Sequence, residues 1–198
     1  MSLYPSTDVS HKIQGNSTIG GLIGLNVGKA THSFTDVKVF GVGYAGGHTG
    51  ENRGEVIQSF AAGDVETTHS YTGGLIGYSY WSAIVLNAYA AGSVTGSGYV
   101  GGLIGLADGI VTNTYASGFV SSGDTFAFGG LAGYNFGDII SSYHYQGPNN
   151  GHGILKREAE MKQRTTFSGW IFEGEGSEEI WQIDEGKSFP TLLWFERF

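Results

Sequence analysis

The chain has 198 residues, of which 35 are Gly and none is Cys, and its 10 basic and 18 acidic side chains give a formal charge of -8. The length fits one or two domains, and the 40% apolar fraction is enough to build a core. Without Cys there is no disulfide, thiolate nucleophile or Cys-based metal site. The acidity argues against nucleic-acid binding. No apolar run approaches the roughly 20 residues that cross a bilayer, so membrane insertion of this segment is not expected.

Glycine is distributed unevenly along the chain. Of the 35 Gly, 31 lie at or before Gly153 and only 4 lie in the last 45 residues. We therefore divide the chain into residues 1–153 and residues 154–198, and we treat the two parts separately.

A five-residue motif recurs in the first part at intervals of 26 to 28 residues. Its full form is Gly-Gly-Leu-Ile-Gly, and its five copies begin at Gly20, Gly46, Gly73, Gly101 and Gly129. A fixed period of this size indicates a repeat architecture. Gly costs about 1 kcal/mol in a helix interior, whereas the Val, Ile, Tyr and Phe around it favour strands. The sequence therefore predicts an all-β fold, a parallel β-solenoid of about five coils of 26 to 28 residues.

Equivalent positions of stacked coils lie about 4.8 Å apart, so they form columns along the axis. Two columns are predicted to be structural core, an aliphatic one and an aromatic one: Leu22, Leu75, Leu103 and Leu131, and Phe34, Phe60, Tyr89, Tyr115 and Tyr143. The Ile column beside the Leu column is also apolar, so the sequence leaves open which of the two faces inward. Gly63, Gly92 and Gly118 are predicted to make a corner through a positive φ or a bulge.

The motif copies resemble the GLUG repeat, which is found in bacterial surface and secreted proteins that include adhesin-like and hemagglutinin-like proteins and immunoglobulin A-cleaving metallopeptidases. The resemblance covers roughly residues 15–147, and His48 departs from the family's Leu. It implies an extracellular or cell-surface repeat scaffold in a bacterial protein. Peptidase activity is not implied, because the chain has no His-Glu-x-x-His motif. The chain also begins inside a coil, which predicts a fragment of a larger secreted protein with other domains, and residues 1–3 left by cloning.

Residues 154–198 have 6 basic and 9 acidic residues and three of the four Trp. The run 155–164 predicts one short helix, with Glu158 and Lys162 at i and i+4. Three strand-like runs follow it. We predict an α+β cap over the last coil, because an uncovered solenoid end exposes strand edges and core. The alternative is an aromatic ligand groove around Trp170 and Trp181.

No pattern for catalysis or metal binding is present. Four acidic residues of the repeats fall in different columns, so stacking does not pair them: Asp36, Asp64, Asp108 and Asp138. The six His have no metal-ligand spacing, and Gly-Gly-x-Gly-x-Asp calcium repeats are absent. We therefore predict no catalytic residue, metal or cofactor, and no enzyme activity. No regular Thr column supports ice binding, and Asn26, Asn52 and Asn135 are expected to form turns or an internal amide ladder.

The candidate ligand-binding residues are Tyr44, Tyr71, Tyr99 and Trp81. Each Tyr stands two residues before a Gly-Gly, so the three would stack into a flat aromatic strip suited to sugar rings or a protein partner. Trp81 lies in a two-residue insertion, and insertions in repeat proteins form loops that often carry function. The sequence thus favours a non-catalytic structural or adhesion module whose partner is a glycan or a host or cell-surface protein. The alternative is a carbohydrate-binding or substrate-positioning module of a secreted enzyme, and a catalytic β-helix ranks third.

Overall fold

The protein folds as a parallel β-solenoid of about five coils with almost no helix, as the sequence predicts. The computed structural model describes residues 12–69, 71–123, 127–175 and 178–195. Residues 1–11 lie outside the described part, and so does the prediction that residues 1–3 come from cloning. Within the described ranges, no helix has the length and apolar character needed to span a membrane.

Each coil contributes four or five short strands. The first two coils contain β1 (Lys12–Gln14), β2 (Ile19–Gly20), β3 (Ile23–Asn26), β4 (Lys29–Thr31), β5 (Phe34–Thr35), β6 (Lys38–Gly41), β7 (Ala45–Gly46), β8 (Thr49–Asn52), β9 (Glu55–Ile57) and β10 (Phe60–Ala61). The third and fourth coils contain β11 (Val65–Thr67), β12 (Tyr71–Gly73), β13 (Ile76–Ser79), β14 (Ile84–Ala90), β15 (Val94–Gly96), β16 (Tyr99–Gly101), β17 (Ile104–Ala107) and β18 (Ile110–Ala116). The fifth coil contains β19 (Val120–Ser122), β20 (Phe128–Gly129), β21 (Ala132–Asn135), β22 (Asp138–Ile140) and β23 (Tyr143–His144).

Equivalent strands of successive coils pair in parallel and form four sheets. Sheet 1 contains β1, β6, β11, β15 and β19; sheet 2 contains β2, β7, β12, β16 and β20; sheet 3 contains β3, β8, β13, β17 and β21. Sheet 4 contains the remaining strands of the coils. The pairing register follows the repeat columns, since Phe60 pairs with Phe34 on one side and with Tyr89 on the other.

The interior of the coils is filled by the aliphatic residues of the motif and of sheet 4. Leu75, Leu103 and Leu131 are at most 1% exposed, and Ile76 and Ile104 are buried equally well. Both apolar columns therefore belong to the core. The Leu and Ile columns lie at the tight turn between sheets 2 and 3, and both are buried there.

Two predicted core residues of the first coil are exposed. Leu22 is 53% exposed and Phe34 is 46% exposed, so the prediction of burial was wrong for them. In the second to fourth coils, each apolar side chain has a coil on both sides, and the end of the fifth coil is covered by β24 and the loop before it. No described residue covers the first coil on its N-terminal side, so Leu22 and Phe34 lack half of that burial.

Glycine is required at the corner because neighbouring coils approach closely there. A Cβ on Gly118 would collide with the carbonyl oxygen of Gly92, and a Cβ on Gly92 with that of Gly63. These three residues do not have a positive φ, so of the two predicted forms of the corner the structure excludes the left-handed one. Left-handed backbone, with φ from 45° to 53°, instead recurs two residues before each aromatic of the column: His32, Gln58, Asn87, Asn113 and Ser141.

The predicted Asn turns are confirmed, whereas the predicted amide ladder is limited to one bond because Ser79 and Ala107 occupy this column in the next two coils. The Nδ2 atom of Asn26 donates to Oδ1 of Asn52 at 2.8 Å inside the solenoid. Oδ1 of Asn26 also accepts from the backbone N–H of Gly28 at 3.1 Å, and Asn135 accepts in the same way from Gly137 at 3.2 Å. Each Asn thus closes the turn that follows sheet 3.

The C-terminal part begins by extending the solenoid and then leaves it. Its elements are β24 (Ile154–Leu155), α1 (Glu158–Met161), a 3-10 helix (Arg164–Thr166), β25 (Trp181–Gln182) and β26 (Thr191–Leu192). β24 adds to sheet 4 beside β23, and β25 pairs with β26 in the antiparallel sense. The short helix predicted within 155–164 is confirmed. The strand-like run 167–172 makes only a bridge from Phe172 to Trp181.

This C-terminal segment packs along the side of the solenoid, which corrects its predicted place over the end. Its three Trp donate their indole N–H groups to three different coils: Trp194 to the Gln58 carbonyl at 2.9 Å, Trp181 to Asn87 Oδ1 at 3.4 Å and Trp170 to the Ser141 carbonyl at 3.0 Å. All three acceptors belong to the left-handed residues that stand two positions before the aromatic column. The end of the last coil is covered by β24 and by the loop before it, where the Gly130 N–H donates to the Pro148 carbonyl at 2.8 Å.

The aromatic column points outward into this lateral interface. Phe60 stacks on Tyr89 at 4.7 Å between ring centroids, and Tyr89 stacks on Tyr115 at 4.9 Å. From Phe60 to Tyr143 the column is at most 6% exposed, because the C-terminal segment covers it. The aromatic column is therefore core, as predicted, but it lies between the solenoid and the segment. Trp181, fully buried in the same interface, leaves no open ligand groove at its ring.

Candidate functional site

Three of the predicted ligand-binding residues form a ladder on the solenoid surface. Tyr44 precedes β7, Tyr71 opens β12 and Tyr99 opens β16, so parallel pairing in sheet 2 places them in one column. Ring centroids are 4.8 Å apart between Tyr44 and Tyr71 and 5.0 Å apart between Tyr71 and Tyr99. All three are partly exposed. The structure thus brings together what the sequence spacing predicted.

The ladder does not form a flat strip. Its ring planes are tilted by 33° between Tyr44 and Tyr71 and by 55° between Tyr71 and Tyr99. Rings lying side by side in one plane need more room than the spacing between coils allows. The predicted flat strip was therefore wrong, because neighbouring rings in a column with one aromatic per coil are tilted against each other.

Two further tyrosines connect this ladder to Trp81. Tyr78 packs at 5.5 Å from Tyr71 and at 5.8 Å from Tyr44, and it also contacts Tyr80 at 5.8 Å. Tyr80 in turn lies 6.2 Å from Trp81, which is 67% exposed. We name this continuous surface the tyrosine face and define it by six residues: Tyr44, Tyr71, Tyr78, Tyr80, Trp81 and Tyr99.

The closing glycine of the motif brings the two strands of the tyrosine face together. A Cβ on Gly77 would lie 2.7 Å from the Ala45 nitrogen and 3.0 Å from the Tyr44 carbonyl carbon. Because the glycine has no side chain, sheets 2 and 3 approach closely, and Tyr78 reaches the ladder. Its position directly after the closing Gly is the sequence signal that would have included Tyr78.

Charged groups border the tyrosine face on the side of Trp81. Arg53 Nε lies 2.6 Å from Glu51 Oε1, and the guanidinium lies 5.2 Å from the Tyr80 ring centroid. The hydrogen bond that Arg53 donates to Glu51, followed by the charge of that carboxylate, raises the pKa of Arg53. Asp108 lies near Tyr78 and contributes to its raised pKa after burial, which is the main cause. Planar polar groups are thus available beside the aromatic surface.

The phenols of Tyr71 and Tyr78 are neutral hydrogen-bonding groups at physiological pH. Burial raises the pKa of Tyr71, and the neighbouring Tyr44 and Tyr99 add to that effect. A protonated phenol can both donate and accept one hydrogen bond. The face therefore combines apolar ring surface with uncharged polar groups, which suits a neutral polar partner.

One Ser and one His lie within hydrogen-bonding distance elsewhere in the solenoid. His48 Nε2 is 2.9 Å from Ser33 Oγ, and His48 Nδ1 is 2.8 Å from Thr49 Oγ1. His48 has 0% exposure, and burial lowers its pKa to about 4. It occupies the Leu position of the second coil, so these bonds satisfy a polar side chain in the core and no substrate can reach it. Among the described ranges, no three His, Asp or Glu side chains group to hold a metal.

Comparison with known proteins gives a partial match to a bacterial protein. The chain is 35% identical over 121 residues to a protein of Evansella cellulosilytica that is described as a Gly-rich membrane protein. The match covers 54% of this chain and 13% of that protein, so the chain corresponds to a small part of the relative's length. No family model matches the chain. No solved structure matches it either.

Proposed function

We propose that this chain is a non-catalytic structural and adhesion module of a bacterial extracellular or cell-surface protein. The observation that carries the proposal is the tyrosine face, an aromatic surface that extends over three coils. Tyr and Trp have an apolar body and a polar tip, and they are enriched where proteins bind partners. The resemblance to GLUG repeats and the likeness to a bacterial Gly-rich membrane protein support the same class.

The scaffold suits such a role because its parts hold one another rigidly. Four parallel sheets run the length of the solenoid, and the C-terminal segment ties several coils together from the side. The stack therefore holds Tyr44, Tyr71 and Tyr99 in fixed register. A partner would find the binding groups already in place, which reduces the entropy lost on binding. The partner would be a glycan or a protein of a host or neighbouring cell.

Adhesion of coated beads to cells tests the proposal. Beads carrying the chain are incubated with bacterial and host cells and counted, alongside beads carrying Trp81→Ala or Tyr71→Ala. Phe119→Ala is the matched control, since Phe119 is 61% exposed but directly precedes β19 in sheet 1, away from the tyrosine face. We expect parent and control to attach equally and both face variants to attach about thirtyfold less, which corresponds to the loss of one hot-spot contact of about 2 kcal/mol.

Two results would contradict this function. Attachment that is unchanged in both face variants would remove the tyrosine face as the adhesive surface. Equal losses for Phe119→Ala would show that attachment depends on general surface hydrophobicity. Urea unfolding of each variant, measured in parallel, separates loss of binding from loss of fold.

A specific observation favours carbohydrate as the alternative ligand of a module attached to a secreted enzyme. Trp81 is 67% exposed and contacts Tyr80, and Tyr80 in turn lies under Arg53 of the Glu51 and Arg53 pair. The ring of Trp81 is therefore available for the C–H groups of a sugar, while the charged pair can bond hydroxyls. Binding to neutral polysaccharides on a glycan array, lost in Trp81→Ala and kept in Phe119→Ala, would support this alternative. Binding that survives Trp81→Ala would count against it.

A further inference from the structure

We propose that the tyrosine ladder is a site of oxidative cross-linking, at which Tyr44 and Tyr71 are joined through ring carbons into dityrosine. The reaction requires a haem peroxidase and hydrogen peroxide as co-reactants. The product covalently links the second coil to the third. This inference does not depend on the adhesion function and can fail or succeed separately.

The backbone holds the two rings together before any reaction. β7 and β12 pair in parallel with Ala45 opposite Thr72, and this register places Tyr44 and Tyr71 side by side. Their centroids are 4.8 Å apart with planes tilted by 33°, and both residues are partly exposed. The ring torsion of Tyr is broad, so each ring can turn to present the carbons next to its hydroxyl-bearing carbon to the other ring. The next pair of the ladder, Tyr71 with Tyr99, is slightly farther apart at 5.0 Å and more tilted at 55°.

Tyr78 also contacts Tyr44 and Tyr71, but its ring is arranged less suitably for coupling. Tyr78 meets Tyr44 at 5.8 Å with planes at 71°, an edge-to-face contact, and it meets Tyr71 at 5.5 Å. In both contacts the centroids are farther apart than in the Tyr44 and Tyr71 pair. Coupling between the adjacent rungs of the ladder is therefore favoured over coupling to Tyr78.

The reaction balances in electrons and atoms. Each phenol loses one electron to the oxidised peroxidase and its hydroxyl proton to water, which gives two phenoxyl radicals. The radicals form one carbon–carbon bond between ring positions next to the oxygens, and the hydrogens on those carbons return to the oxygens. Hydrogen peroxide accepts two electrons and two protons and becomes two water molecules. The protein therefore loses two hydrogens in total.

The link would serve a chain that has no other covalent staple. The sequence contains no Cys, so a disulfide cannot form. Joining residues 44 and 71 closes a loop of the unfolded chain and lowers its entropy, which stabilises the fold as a disulfide does. A cross-linked chain should accordingly unfold at a higher urea concentration than the untreated chain.

The test treats the folded chain with a haem peroxidase and hydrogen peroxide. The monomer fraction is then digested and mapped by mass spectrometry, and dityrosine is followed by its fluorescence. We expect a linked peptide containing Tyr44 and Tyr71 and lacking two hydrogens as the main product. Tyr71→Phe keeps the ring and the packing but removes the phenol, so this product should disappear. Tyr145→Phe is the matched control because the ring of Tyr145 packs on Phe189, and its product should match that of the parent.

Two outcomes would overturn the inference. One is a folded chain whose dityrosine maps to other pairs or only to dimers. The other is an equal yield of the Tyr44 and Tyr71 product from a chain unfolded in urea, since the proposal assigns the selectivity to the folded ladder. A second variant, Tyr44→Phe, repeats the test from the other side of the pair. Neither treatment measures cell attachment, so failure here leaves the proposed adhesion function standing.

Discussion

Replacing His48 by Leu should remove a pH dependence of folding stability. His48 is fully buried in the Leu column, and burial lowers its pKa from 6.5 to about 4. In the unfolded chain the same ring has its ordinary pKa, so between those two values the unfolded state binds more protons. The free energy of unfolding is therefore not lowered by His48 above about pH 6.5, and it falls as the pH drops from 6.5 toward 4.

The size of this change in the free energy of unfolding follows from the pKa shift of His48. Each pKa unit corresponds to about 1.4 kcal/mol, so the drop from 6.5 to about 4 is worth about 3 kcal/mol between neutral and acidic solution. In His48→Leu this part of the pH dependence of the free energy of unfolding is absent, because Leu does not titrate. The remaining slope includes His144 and His152, whose pKa values are also lowered by burial.

Urea unfolding at a series of pH values, followed by tryptophan fluorescence, measures this difference. We expect the free energy of unfolding of the parent to fall more steeply below about pH 6.5 than that of His48→Leu, with the two curves diverging by about 3 kcal/mol. His69→Gln, at an exposed position, is the control and should follow the parent. Parallel curves for parent and His48→Leu would refute the burial argument.

The other expectations concern contacts that hold the coils together. Gly118→Ala should destabilise the fold by about 3 kcal/mol or more, because its Cβ overlaps backbone, whereas Gly28→Ala, whose Cβ meets nothing within 4 Å, should cost less than about 1 kcal/mol. Tyr115→Phe should cost about 1 to 3 kcal/mol by leaving the buried Pro190 carbonyl without its 2.7 Å bond. Asn26→Ala should cost about 1 kcal/mol through loss of the hydrogen bond from its side-chain amide to Asn52. Urea midpoints check all three, and equal midpoints for the two Gly variants would contradict the close-approach argument.

The sequence was sufficient to predict the solenoid because the fold is set by periodicity. A strand that recurs every 26 to 28 residues can bury its apolar face only against its own copies, so the columns that hold Leu75, Leu103 and Tyr115 are visible as spacing. The same periodicity predicts that Tyr44 and Tyr71 lie side by side, since both stand two residues before a Gly-Gly.

Three features of the structure could not be predicted from the spacing of residues in the sequence. Left-handed backbone recurs at positions occupied by His, Gln, Asn, Asn and Ser, so no single residue type marks them. The lateral packing of the C-terminal segment depends on indole bonds such as that from Trp194 to Gln58, 136 residues away in the chain. The tilt of the rings in the tyrosine ladder follows because a Tyr ring is too wide to lie flat within the spacing between coils. That comparison was possible from sequence, but it needs the geometry of the rings as well as their column.

Hydroxyl-radical footprinting tests the central claim, that the tyrosine face is the binding surface. The chain is labelled free in solution and while held on cells to which it attaches. Trp81 and Phe119 are both well exposed, at 67% and 61%, so both label in the free chain. We expect attachment to protect Trp81 and Tyr71 from labelling and to leave Phe119 labelled as before. Protection of Phe119 with undiminished labelling of Trp81 and Tyr71 would contradict it.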